Sequence, residues 1–291
     1  MRPMETKTIV GQGAYTYEVD KSWGRRAGGV AALGVAQGVT GDSRDRVYVF
    51  QRSPTAEVLV FDREGKLLER WGEGQFASPH GIWCSPKDEL FITDTLSHTV
   101  TQWTLDGKKL REWGTPGQPG EWGKPFNRPT KAVVTPDGEM YVTDGYGNKH
   151  VHRFDKNGEL IQSWGAEGTG PGEFSLVHDV VVDERNRVLI CDRQNRRVQI
   201  FDRDGTFQSE WADWQNPMQI HIRDGIMYLA HAYAEISIRT LDGELLARWP
   251  WESDLTHDKE KSPHSIWVDS RGDIYVGEVV GENGFQKFIR Q

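Results

Sequence analysis

RPTKAVVTPDGEMYVTDGYGNKHVHRFDKNGELIQSWG, residues 128–165, holds one complete structural unit. Its apolar run MYVTD ends on an acidic residue, its turn FDKNG occupies 154–158, and its last strand ends in Trp164-Gly165. Short β-branched runs bounded by turns read as buried strands rather than helices. Asp-Gly and Asn-Gly tolerate positive φ and so favour tight hairpins. The same three markers recur outward in both directions. LFITD, VLICD and IYVGE repeat the acid-ended run, and FDREG at 61–65, LDG at 105–107, FDRDG at 201–205 and LDG at 241–243 repeat the turn. Trp23-Gly24, Trp71-Gly72, Trp113-Gly114, Trp211 and Trp249 repeat the strand end.

The period is roughly 40–50 residues, that of propeller blades. Aligning the markers yields six units that start near Gly34, Ser78, Arg128, Leu176, Asn216 and Ser262, each with room for four strands. The sixth ends at Gln291 without its own Trp-Gly strand, and TYEVDKSWG, over residues 16–24, supplies one. The expected fold is all-β: a six-bladed β-propeller forming one domain over residues 1–291, its last blade closed by the N-terminal strand. Closure removes the open edges that a linear array would expose. The Gly/Pro-rich stretches 115–127 and 166–174 are then loops between blades, not domain linkers.

The chain carries 35 basic and 43 acidic residues, interspersed, for a net charge of −8. Nucleic acid is not an expected partner, because phosphate binding wants a concentrated basic surface. No stretch approaches the ~18 apolar residues needed to span a bilayer, so no membrane association is expected. MRPMETKTIVGQG has no apolar h-region of the signal-peptide kind. Cys84 and Cys191, the only cysteines, fall inside expected strands and read as buried free thiols. Together these features point to a cytoplasmic protein. A closed propeller needs no partner subunit, so a monomer is expected.

Within this register, His80 in SPHGIW, His178 in LVHDVV and His264 in SPHSIW occupy the same place in units two, four and six. Each lies at the start of the innermost strand, and alternate blades of a six-fold ring aim three side chains at one axial point. Three convergent imidazoles form the protein part of a catalytic zinc site, with a coordination position left for substrate. Imidazole ligation suits Zn²⁺ and also admits Fe²⁺, Co²⁺ or Ni²⁺. The matching positions in units one, three and five are Gln37, Thr130 and Met218, none a good zinc ligand.

Antiparallel neighbours return the ends of the second strands to the same face. Arg52, Thr95, Gly145-Tyr146, Arg193, Ala232 and Val279 should therefore rim that mouth. Asp94, Asp144, Asp192 and Glu278 recur in unit after unit, which suits a structural task at turns, such as bonding backbone N–H groups, better than catalysis. His98, His150 and His152 read as facing solvent or a neighbouring strand, and His257 as part of a charged loop. His231 replaces the usual acid at a strand end and is a candidate for the mouth's border.

These repeats resemble NHL-type propeller repeats, and within that class the chain resembles the catalytic core of peptidyl-α-hydroxyglycine α-amidating lyase. The similarity is densest over 127–211, in NRPTKAVV, MYVTDGYGN, GPGEFSLVHDVVVD and CDRQNRRVQIF. It implies zinc ligation by His80, His178 and His264, a catalytic Tyr146 in DGYGN, and arginines at Arg52 in VYVFQRS and Arg193 in CDRQN. Ser265 stands where that family has an acidic calcium ligand, which puts a structural Ca²⁺ in doubt, and Gly147 replaces a family cysteine.

The implied reaction splits the C–N bond of a carbinolamide, giving an amide and glyoxylate or a related carbonyl from a small or peptide-like substrate. Tyr146 would act as base, with Arg52 favouring its phenolate, and Arg193 would orient a substrate carboxylate. Two alternatives stay open: a zinc-dependent hydrolase of a lactone, ester or amide on the same histidines, and a non-enzymatic propeller scaffold.

Overall fold

A computed structural model of the chain describes residues 7–25, 29–30, 33–121, 124–212, 214–233, 235–251, 262–279 and 284–291. The described chain forms six antiparallel sheets around an axis, plus one two-stranded parallel pair, Ala166–Glu167 with Glu173–Phe174, inside the loop between blades three and four. The innermost strands are Val35–Gly41, Pro79–Cys84, Lys131–Val134, Val177–Val182, Pro217–Arg223 and Pro263–Val268. Each packs beside the next, and the sixth packs beside the first, so the ring is closed. Among the described residues no helix is long and apolar enough to cross a membrane.

Both faces of each blade are covered, which explains why second strands such as Met140–Asp144 are buried along their whole length. The outermost strands, for example Leu67–Trp71, are mostly exposed. Apolar side chains gather in six clusters, one per interface between neighbouring blades. Tyr48, Phe50 and Val60 meet Ile82, Leu90 and Trp103 between blades one and two, and Tyr141 and Val151 meet Val180 and Ile190 between blades three and four. The core is thus a ring of wedges, and each blade is stabilised by its two neighbours.

The N-terminal segment closes blade six with different bounds from those expected. Tyr15–Asp20 pairs with the C-terminal strand Phe285–Arg290, and Ile9–Gln12 adds a fifth strand outside it. Trp23 lies beyond the strand, in a turn, where it stacks on Phe285, meets Phe61 and donates its indole N–H to the Arg63 carbonyl at 2.8 Å. The indole therefore fills the wedge between blades six and one rather than ending a strand. Cys191 is buried, whereas Cys84 is only partly buried, packed against the cluster between blades one and two. Trp23→Ala should destabilise the protein by about 3–5 kcal/mol, the usual cost of emptying a buried large aromatic site, measured by urea denaturation.

Candidate metal centre

Each histidine reaches the axis because its strand breaks register there. In blade four Val177 pairs with Asp192 but Asp179 with Cys191, so His178 is the extra residue of a β-bulge. His264 occupies the same break between Pro263 and Ser265, and His80 lies in the break between Pro79 and Ile82. A bulge re-aims a side chain that a regular pleat would send into a blade interface.

The three rings form a nearly equilateral triangle, with centroids 5.0, 4.8 and 4.8 Å apart, and one ligand nitrogen from each lies within 4.8 Å of the others. Each ring is held from behind by the next blade. Nδ1 of His80 donates to the Thr130 carbonyl at 2.7 Å, that of His178 to Met218 at 2.7 Å, and that of His264 to Gln37 at 2.6 Å. A proton on Nδ1 makes each Nε2 an inward-facing lone pair, the tautomer that a metal requires, and that of His264 meets the Gln37 side-chain amide at 2.8 Å. Burial pushes the His80 imidazole down to about 3 and holds His178 and His264 well below their ordinary value, so all three are neutral near pH 7. This donor set fits a divalent transition metal with an open position.

Tyr146 stands over the triangle, its hydroxyl 3.2 Å from His80 Nε2 and 3.4 Å from His178 Nε2. Its loop presses against blade four: a Cβ at Gly145 would sit 1.6 Å from the Val177 carbonyl oxygen, so only glycine allows the approach. Burial raises the phenol above its ordinary value, while Arg193 and then Arg52 pull it down. Arg52 donates from Nε and Nη2 to the Pro79 carbonyl at 3.2 and 3.1 Å, which fixes it beside His80. Arg193 touches Met218 Sδ at 3.7 Å from Nη1, and its buried Nε has no hydrogen-bond partner. All six residues singled out from sequence therefore meet at one end of the shaft. Arg128 joins them, its guanidinium 5.6 Å from the Tyr146 ring centroid. Nothing in the sequence marks Arg128 out, since its placement comes from a left-handed backbone (φ 65°) that is uncommon for a non-glycine residue.

A family model described as a 6-bladed beta-propeller matches residues 129–225. NHL repeat-containing protein 3 of Mus musculus is 31% identical over 267 residues, which cover 84% of this chain and 76% of that protein. The chain belongs to the NHL-repeat β-propeller family. Peptidyl-alpha-hydroxyglycine alpha-amidating lyase 1 of Drosophila melanogaster is 33% identical over 189 residues, 59% of this chain but only 35% of that enzyme. Among solved structures, a gluconolactonase from Xanthomonas campestris superposes with a TM-score of 0.69 at 12% identity, covering 99% of this chain and 96% of that one. Virginiamycin B lyase from Staphylococcus aureus gives 0.62 at 14% identity over 94% of this chain and 99% of that one. These last two show the fold alone.

Elsewhere in the NHL propeller the repeated acids bond backbone. Asp94 accepts from Ala77 and Ser78 N–H at 2.7 and 3.0 Å, Asp144 from Asn127 at 2.9 Å, and Asp192 from Ser175 at 3.0 Å. His231 takes the acid's position in blade five with the opposite polarity and does not border the mouth: it is fully buried, its Nδ1 facing the Gln215 carbonyl at 3.3 Å and its Nε2 the Ser237 hydroxyl at 2.7 Å. His152 is buried against Ser163 and His98 accepts the Arg128 N–H, while His257 lies outside the described residues.

A structural calcium does not fit this chain. Beside His264 the Ser265 hydroxyl is buried without a partner, and the axis below the histidines holds the buried ammonium of Lys131, donating to the Ile82 carbonyl at 3.0 Å. A lysine donor in that position supplies no oxygen ligand to a dication. Asp179, buried nearby, accepts the Ile220 N–H at 2.8 Å and is in electrostatic reach of Lys131. His178→Ala should cut bound transition metal from about one per chain to under a tenth of that, read by elemental analysis of protein purified without chelator, while thermal stability in added Ca²⁺ stays unchanged for the parent chain.

Proposed function

We propose that the protein is a zinc-dependent carbon–nitrogen lyase, cleaving an N-acylated α-hydroxyglycine or a close analogue to an amide and glyoxylate. One observation carries the reading: a tyrosine hydroxyl lies 3.2 and 3.4 Å from the inward nitrogens of two histidines in a neutral trio. The partial match to an α-amidating lyase, which covers 59% of this chain, supports it. The reading needs only a small or peptide-like substrate.

Bound zinc, held by His80, His178 and His264, would act as a Lewis acid toward the oxygen that becomes the aldehyde. Arg193, whose buried Nε has no partner, faces the substrate carboxylate, for which a planar guanidinium is the matching shape. Tyr146 Oη takes the proton of the carbinol hydroxyl. The C–O bond gains double-bond character, the C–N bond breaks, and its electron pair and a proton go to the amide nitrogen. Water is not consumed. Arg52, pinned by the Pro79 carbonyl, and Arg193 supply the positive field that favours the phenolate against burial.

N-benzoyl-α-hydroxyglycine is a direct probe. Glyoxylate and benzamide should form in equal amounts with no oxygen from ¹⁸O-water in the benzamide. Benzoate carrying solvent oxygen would mark a hydrolase instead, and absence of turnover across metal-loaded preparations would favour a scaffold. Tyr146→Phe should lower kcat at least about a hundredfold, within the range for loss of a general base, with metal content unchanged.

A further inference from the structure

We propose that the mouth of the axial shaft opposite the three histidines is a second ligand site, shaped for a compact, uncharged aromatic molecule carrying a hydrogen-bonding group. A cavity of about 380 Å³ opens there, where the inner strands end. That size falls within the range of small-molecule pockets, which are mostly apolar and aromatic with a few polar groups. Trp83 and Trp267 line it together with Val133, Val182, Ile222 and His221.

The walls are built rather than left over. Trp267 lies where Gly41 has no side chain: a Cβ on Gly41 would come 2.1 Å from the indole, so the ring is admitted by that glycine and braced by Tyr275 at 5.3 Å. The His221 ring faces Trp267 at 6.4 Å, and desolvation within the shaft pushes its imidazole down to about 3 and leaves it neutral. Among the described residues the ring nitrogens of His221, Trp83 and Trp267 make no hydrogen bond, and His221 and Trp83 are only partly buried. They therefore stay open to an occupant of the cavity. The apolar walls favour a flat ring, and the unmet N–H and lone-pair positions favour a hydroxyl or carbonyl on it. Glu184 at the lining disfavours an anion.

The two ends of the shaft are separate compartments. Lys131, donating to the Ile82 carbonyl, and Gln219, accepting the Ile266 N–H at 3.2 Å, close the floor of this cavity. Between that floor and the histidines only about 10 Å³ remains, room for roughly one water. A ligand at the far mouth therefore does not touch the metal centre.

2-Naphthol is a suitable probe, its fluorescence anisotropy followed on titration with the full chain. The expected result is saturable binding of one naphthol per chain, weakened at least about tenfold by Val182→Trp, which fills the cavity, and unchanged by His178→Ala. His221→Leu, a smaller change, should weaken binding likewise and covers the case in which Val182→Trp fails to fold, as judged by circular dichroism. Unsaturable binding, binding lost in His178→Ala, or binding unmoved in a folded cavity variant would each overturn the proposal.

Discussion

Three hydrogen bonds from imidazole Nδ1 to a backbone carbonyl of the next blade govern the rest of the molecule. Each runs from an even blade to the odd blade that follows it: His80 to Thr130, His178 to Met218 and His264 to Gln37. None can form unless neighbouring inner strands stand in the correct register around a complete ring. The last of them spans 227 residues of sequence, so it exists only because the N-terminal strand and the final blade close the circle. Closure is thus a chemical requirement as well as a mechanical one. It sets the tautomer of the rings and leaves three lone pairs facing inward.

The odd blades use the same local device for the complementary purpose. Gln37 and Met218 sit in register breaks at the histidine-equivalent positions of blades one and five. There the break presents a carbonyl oxygen to the neighbouring ring, and the side chain becomes secondary. One repeated irregularity therefore produces both the ligand and its support, depending on the residue that occupies it. Gln37, Thr130 and Met218 share this backbone role while their side chains differ: the Gln37 amide lies 2.8 Å from His264 Nε2, and Met218 Sδ meets Arg193.

The blade count, the alternation of the histidines and the face they share were all legible in sequence because they rest on local signals. Asp-Gly turns, tryptophan strand ends and acid-ended runs need no tertiary information, and strand direction follows from counting. Features set by contacts across blades were not legible. Trp23 carries the marker of a strand end yet serves as a wedge filler, because Phe61 and Phe285 create the space for it. His231 looks like a mouth residue from its position, but Ser237 on the adjacent strand draws it into the blade. Arg128 reaches Tyr146 through a left-handed backbone, and His221 and Lys131 owe their positions to the shaft, which exists only once six blades have closed.

The residues that directly follow the histidines, Gly81, Asp179 and Ser265, show how the axis is held together below the metal centre. Gly81 leaves space: a Cβ there would lie 2.5 Å from the Thr130 carbonyl oxygen that receives the His80 proton. Asp179 reaches the Ile220 N–H on blade five, and Lys131 of blade three reaches the Ile82 carbonyl on blade two. Blade two is thereby tied to three, and four to five, through polar groups already attached to the chain. Burial lowers the Lys131 amine and raises the Asp179 carboxyl to about 7, a cost that their mutual attraction and the Ile82 carbonyl partly offset. In return the axial donor cannot be lost to chelation or dilution, because Lys131 is covalently part of blade three.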